Sequence, residues 1–413
     1  MSEQPLPIST TKLRESFCAF SEQSLTDQVF MDNAAGSYTA TEVLKRFDHF
    51  YTSHKVQPYG VYPASIAAGQ MMDESYERIA AALNLPADWI QFGPSTSQNT
   101  YVLGKAFAEY FQPGDAIIVT DQDHEANTGA WRKISRHGIE VREWAIDPHT
   151  GHLDPADLEN LLDDKVRLVA FPHVSNIVGE INPAKELCAL IRRSGAISVV
   201  DGVSFAPHSL PDLADLGADI YLFSTYKTYG PHLGIMAIDP DLNRTLPNQG
   251  HFFNEKKLRY RLTPAGPDHA QIGAVGGIAD YLERLAEIAG SSVPGITSFE
   301  KARNAMRAQE KQLMVPLLDF LSNRNDIRLI GPADPDGRAP TISLAHHKSG
   351  SELAKDLAPL GIMAAGGHFY AWRTLQSLGI DPEHGVLRLS FVHYTSRDDV
   401  ARTISALDAI LSA

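Results

Sequence analysis

At 413 residues, with 43% hydrophobic and 21% charged side chains, the chain is long enough to bury a large core and to form two domains. A formal net charge of −14 argues against a nucleic-acid or anionic-membrane surface, and no apolar stretch approaches membrane-spanning length. The start, Met1 to Pro7, has no basic segment followed by an apolar core; Cys18 and Cys188 lack metal-ligand spacing, so a cytoplasmic protein without disulfides or a bound metal is expected.

Residues 1–30 read as a polar arm with a short helix. From about 70 to 290, helix and strand patterns alternate. Met71 to Leu83 is amphipathic, Ser95 to Tyr110 is a helix opened by small polar residues, and Ala116 to Thr120 is a buried strand. Asn127 to His137 reads as helix, Ile139 to Trp144 and Val166 to Phe171 as strands, and Pro183 to Arg193 as a helix with proline in its first turn. Short apolar runs then end at Asp201 and Ser224, and Leu233 to Ile238 is a third. This alternation predicts an α/β fold with a mostly parallel central sheet and helices on both faces. The character shifts near 295. A long helix from Ser298 to Arg324 precedes strands at Ile327 to Ile330 and Thr341 to Leu344, a helix from Ser351 to Leu360, a strand from Val386 to Phe391 and a last helix from Arg397. The expected division is an arm (1–30) packing with the small domain, a large domain (31–294) and a small α+β C-terminal domain (295–413).

Lys227 lies in the turn between the runs Asp219 to Ser224 and Leu233 to Ile238. An amine at a buried strand end is poorly solvated, which lowers its pKa and makes it nucleophilic. Asp201 ends the run that starts at Ala196, at the carboxyl edge where open α/β sheets bind ligands. Together these two groups could hold the two ends of one flat cofactor. Pyridoxal phosphate asks for both: a lysine to form a Schiff base, and a carboxylate to keep the pyridine nitrogen protonated.

With Asp201 and Lys227 placed, the chain resembles the cysteine-desulfurase-like branch of the class V aminotransferases, pyridoxal-phosphate enzymes of fold type I. The resemblance runs from Met31-Asp32-Asn33-Ala34-Ala35 to the last helix. Gly93-Pro94-Ser95-Thr96-Ser97 opens a helix with hydroxyls and free N–H groups, an anion site on physical grounds. The resemblance makes Ser95, Thr96 and Ser97 the phosphate loop, with Ser224 as a further phosphate hydroxyl. Asp123-His124-Glu125-Ala126-Asn127 with Trp131 resembles the family's Glu-His-His-Ala-Asn…Trp segment, which implies that His124 stacks on the cofactor ring and relays protons. Val174-Ser175-Asn176-Ile177-Val178-Gly179 resembles its Ser-Asn-x-x-Gly turn, which brings the Asn176 amide to cofactor or substrate. Arg388 matches the arginine that grips the substrate carboxylate, a role suited to a planar guanidinium. Asn33 and Ala34 join the implied substrate set, and Ser204 joins the cofactor set in place of a glutamine. The family builds its site at a two-fold interface, which implies a homodimer with the loop near Gly266 facing the partner.

Departures matter as much as matches. Where desulfurases carry Arg-x-Gly-x-x-Cys on a loop, this chain has Ala365 to Tyr370, so the sulfur-accepting thiol is missing. Tyr226 replaces the histidine before the lysine, and Pro267 stands where a threonine would reach the partner's phosphate. The expected function is a lyase acting on an amino acid, with Lys227 as acid and base at Cα. The favoured reaction is β-elimination from a cysteine derivative without persulfide chemistry. An aminotransferase is the alternative, with an epimerase after it, and a non-catalytic cofactor-binding protein is the reading outside catalysis.

Overall fold

The computed structural model describes residues 6–264, 266–290 and 295–412. The expected domain boundary at 294/295 touches residues outside that set, as does Ala265 in the loop before Gly266.

Seven strands form the central sheet: β1 (Ile90–Gly93), β2 (Ala116–Thr120), β3 (Glu140–Trp144), β4 (Val166–Pro172), β5 (Ile197–Asp201), β6 (Ile220–Ser224) and β7 (Gly234–Ile238). Their order is β1-β7-β6-β5-β4-β2-β3, and only β7 runs against its neighbours. Every residue of β2, β6 and β7 is buried, as expected of strands covered on both faces. The α/β expectation is met: the sheet is mostly parallel, with helices packed against it.

The helices that matter to the site are α1 (Thr10–Arg14), α2 (Thr41–Ser53), α3 (Pro63–Ala82), α4 (Thr96–Tyr110), α5 (Glu125–Arg132), α6 (Ala184–Ser194), α7 (His269–Ile288), α8 (Ser298–Ser322) and α9 (Arg397–Leu411). Two departures from the sequence pattern have local causes. Helix α3 starts at Pro63 rather than Met71, because a proline fits the first turn and Ala68 and Gly69 bury as readily as the larger apolar residues that follow. Helix α5 begins at Glu125, capped by His124, whose Nδ1 accepts the Ala126 N–H at 3.0 Å; the expected end of that helix tightens into a 3-10 turn, Lys133–His137.

Helix α7 lies against α2 and α3. Its backbone comes so close to α2 that a Cβ on Gly277 would stand 2.6 Å from Val43 N and 2.8 Å from Glu42 C. Gly276 N–H and Gly273 C=O both bond the Ser75 hydroxyl of α3, at 3.1 and 3.0 Å.

A second sheet, antiparallel throughout, has the order β10-β11-β9-β8, from β8 (Arg328–Ile330), β9 (Thr341–Ala345), β10 (Ala365–Gly367) and β11 (Val386–Ser390). Helix α8 contributes to both cores: Ala302 and Met306 pack into that of the central sheet, while Leu313, Met314 and Leu317 pack into that of the second. Its Glu310 meets His208, on the loop after β5, at 3.2 Å. His393, beyond β11, bonds the Tyr281 hydroxyl of α7. The N-terminal arm crosses the same seam. Ile8 N–H donates to Gln309 of α8 at 2.9 Å, Arg14 pairs with Asp399 of α9, and Phe17 meets Tyr281 and Tyr394 edge to face. Among the described residues no helix is long and apolar enough to cross a membrane.

Because the contact at Gly277 is with backbone, which cannot rotate away, Gly277→Ala is expected to lower stability by about 1–3 kcal/mol. Urea unfolding followed by circular dichroism checks this; an unchanged midpoint would mean that α2 and α7 can separate at no cost.

Candidate active site

The site forms where the carboxyl ends of β1, β2, β4, β5 and β6 converge. Strand β6 ends at Ser224, and one 3-10 turn, Thr225–Lys227, follows before the chain reverses into β7. That turn is fastened by Thr225, whose N–H donates to Leu233 O at 2.9 Å and whose C=O accepts from Gly230 N at 2.8 Å. Lys227 is thereby carried into the interior and is only 8% exposed. Strand β1 leads through Pro94 into α4, capped by Ser95, whose hydroxyl accepts from Gln98 N at 3.2 Å. A Cβ at Gly234 would lie 2.3 Å from Ser95 C, so glycine there lets β7 and the start of α4 touch. Thr96 and Ser224 hydroxyls meet at 2.8 Å. The resulting cavity measures about 290 Å³. Of the sequence-predicted set, Ser95, Thr96, Ser97, His124, Asn176, Asp201, Ser204, Ser224 and Lys227 all line it.

Charge is concentrated here. Burial, then the nearby Arg388 cation, brings the Lys227 ammonium down from 10.5 to about 8. Burial raises Asp201 to about 6, against the opposing pull of Val203 N–H at 2.8 Å and of Lys227. Asp123, at the end of β2, is pushed well above the carboxylate range by burial and then by Asp201. Since Asp201 faces a cation and a donor, the anion resides on Asp201 and the proton on Asp123. One oxygen of Asp123 accepts from Asn127 Nδ2 at 2.8 Å, and Asn127 in turn accepts from Trp131 Nε1 at 3.2 Å. The other oxygen has no partner. His124 is held neutral, down to about 3, by burial and then by Lys227 and Arg388.

Arg388, on β11, comes from the second sheet and is buried. Its Nη2 lies 3.4 Å from Asp32, its Nη1 donates to Asn176 O at 3.3 Å, and its Nε is unpartnered. The Asn176 amide donates to Phe369 O at 2.9 Å and keeps its own oxygen free. Phe369 covers the guanidinium at 3.9 Å, and Tyr370 lies 5.3 Å from the His124 ring. Ala365 sits opposite Arg388 in the β10–β11 register. Asn33 and Ala34 stand behind this wall, beside a small cavity that Lys227 also lines. The Asn33 amide is engaged on all sides, donating to Ser390 O and Phe30 O and accepting from Tyr394; Ala34 N–H donates to the Ser390 hydroxyl at 2.8 Å. Neither cysteine lines the cavity. Cys18 is exposed, and burial pushes the Cys188 thiol on α6 up to about 12.

These residues fit pyridoxal phosphate. The N-terminus of α4 and the Thr96–Ser224 hydroxyls would hold a phosphate, Asp201 a protonated ring nitrogen, and Lys227 an aldehyde, while Asn176 keeps an unfilled buried acceptor. Sequence reasoning passed over Asp123, although an acid at a strand end beside His124 was a usable signal. It also passed over His232, which stacks on Tyr226 at 4.6 Å, and the Asp32–Arg388 pair, which only the tertiary fold brings together.

The profile of the aminotransferase class-V family matches residues 29–403. An aminotransferase-like protein of Gibberella zeae is 32% identical over 98% of this chain and 99% of its own length. A cysteine desulfurase of Pectobacterium carotovorum is 28% identical over 92% of both chains. In structure, a cysteine desulfurase of Thermococcus onnurineus superposes with a TM-score of 0.85 at 23% identity, covering 100% of both chains.

A depressed Lys227 has a kinetic signature. The neutral amine is the nucleophile, so cofactor capture by the apoprotein is expected to rise with pH up to about 8 and level off above it. Stopped-flow absorbance between pH 6.5 and 10 measures this, and a rate still climbing at pH 10 would mean an ordinary lysine.

Proposed function

The chain belongs to the class V aminotransferase family and is a pyridoxal-phosphate-dependent enzyme; from that premise we propose that it is a lyase that eliminates a β-substituent from an α-amino acid, best a cysteine derivative. The observation that carries the reading is the junction of Lys227 and Asp201 in one cavity that no cysteine lines, with the Arg388 cation near enough to depress Lys227 and bonded to Asn176 of the cavity wall.

When bound, the cofactor supplies an electron sink for a carbanion at Cα. Arg388 takes the substrate carboxylate through its unpartnered Nε edge, a charge-assisted contact that fixes the position of Cα. Lys227 Nζ, its pKa lowered by burial and by Arg388, would be the base that takes the Cα proton. Asp201 would set its negative charge against a protonated ring nitrogen, and the proton kept on Asp123 spares the pocket a second buried anion. The Cβ–S bond then breaks with its electron pair on sulfur, which leaves as a thiol after taking a proton. The remaining enamine is hydrolysed to a keto acid and ammonia. A desulfurase would instead pass sulfur to an enzyme thiolate and release alanine, a step for which this cavity has no thiol.

Two further parts of the reading concern context. A homodimer is supported by the exposed Val61, Phe252 and Phe253 (96%, 85% and 64%) and by a cavity of about 690 Å³ rimmed by Gly266 and Pro267 beside the phosphate end of the site. A cytoplasmic location is consistent with two unpaired cysteines.

Borohydride reduction followed by peptide mass spectrometry should place the cofactor on Lys227, and Lys227→Ala should bind it without turning over. Arg388→Ala is expected to lose roughly two decades in kcat/KM on any active amino acid. Thiol alkylation should leave the wild type active, and S-substituted cysteines should yield keto acid and ammonia. Alanine with a protein persulfide as products would overturn the lyase reading. Sedimentation at micromolar concentration should give a dimer; a fully active monomer would refute that part.

A further inference from the structure

Beyond β10 the chain adopts a backbone that L residues seldom accept: Phe369 and Tyr370 are consecutive non-glycine residues with φ of 49° and 58°. Four hydrogen bonds hold this pair in place. Asn176 Nδ2 donates to Phe369 O at 2.9 Å, Glu125 N to Tyr370 O at 2.8 Å, Ala371 N to His368 O at 2.8 Å, and Tyr370 N to His368 Nδ1 at 3.1 Å. Two of these anchors come from the segments that carry Asn176 and His124, so the pair is fixed relative to the site. The conformation sets one ring on Arg388 and the other beside His124, a residue of the cavity wall. Phe369 shields one face of the Arg388 guanidinium, and Tyr370, 68% exposed, lies over His124.

The cavity lining is itself aromatic at Tyr226 and His232. Tyr226 stacks on His232, and its ring lies 5.9 Å from Lys227 Nζ. The charges nearby are engaged, Asp32 with Arg388 and Glu125 with Arg373 at 3.6 Å. A polar side chain entering here would lose water against ring faces, whereas an apolar one would cover them.

We propose that Phe369 and Tyr370 are the specificity-determining residues of this site, and that the amino acid they select carries an apolar, preferably aromatic, substituent on Cβ. The inference rests on the reading that Arg388 takes an α-carboxylate. Within the lyase reading it names the substrate class: an S-aryl, S-benzyl or S-alkyl cysteine rather than cysteine itself.

Binding separates this inference from the chemistry. Titration calorimetry of the holoenzyme with L-phenylalanine, L-norleucine and L-alanine, none of which carries a β-leaving group, gives affinities without elimination. Phenylalanine is expected to bind at least about tenfold tighter than alanine, the scale of one well-placed aromatic contact. Tyr370→Gly removes an exposed ring and suits a left-handed φ, so it does not threaten the fold; it should cut the ratio to about threefold or less. Phe369→Leu keeps the bulk over Arg388 and should reduce the preference for phenylalanine over norleucine. Alanine binding as tightly as phenylalanine, or a ratio that survives both substitutions, overturns the inference. Absence of binding by all three overturns it together with the carboxylate reading. The expected preference without keto acid from S-benzyl-L-cysteine upholds the inference and overturns only the lyase.

Discussion

Burying an amine and a carboxylate together at the carboxyl edge of a parallel sheet is the constraint on which the rest of this structure depends. Each ion taken from water costs several kcal/mol, and the attraction between them repays that only where geometry and further hydrogen bonds are good. Here the repayment is incomplete, as the depressed Lys227 and raised Asp201 indicate. The surroundings are arranged to limit the cost. Val203 N–H supports Asp201, Asp123 accepts the proton that would otherwise leave two adjacent anions, and His124 stays neutral beside two cations. A site poised in this way is reactive because it is imperfectly satisfied.

Most of the central sheet was legible because strands buried on both faces are written as apolar runs, and the runs ending at Asp201 and Ser224 mark the ligand edge. Asp201 and the Lys227 turn could be read for that reason. Helices α2 and α7 could not. Gly273, Gly276 and Gly277 of α7 are buried against side chains of α2 and α3 and, at Gly277, against the Val43 backbone, so the first half of the helix is a run of small residues with no polar face to detect. The strand β10 escaped notice because Ala365-Gly366-Gly367 lacks strand propensity and is held only by pairing with β11.

The site residues divide along the same line. Lys227, Asp201, His124, Asn176 and the Ser95–Ser97 turn are signalled by local motifs, and the fold gathers them in one cavity. Asn33 shows the limit of carrying a motif over: its amide is fully engaged in joining the first segment to β11, and the part of that segment beside Lys227 offers no free side-chain donor. The Phe369–Tyr370 pair illustrates the opposite failure. Neither residue type favours a left-handed backbone, and only the anchors from Asn176 and Glu125 explain why it occurs there.

Helix α8 enters both cores, with Ala302 and Met306 at one end and Leu313 to Leu317 further along. A 25-residue helix spans roughly 37 Å, and Pro316, inside it, removes one donor from its hydrogen-bond ladder near the end set in the second core. It ties the sheet that presents Lys227 to the sheet that presents Arg388. The separation of that amine and that guanidinium is therefore tied to a helix far from either residue, whose two ends are embedded in separate cores. Their spacing then belongs to the scaffold, and the loops around the cavity can diversify without altering it.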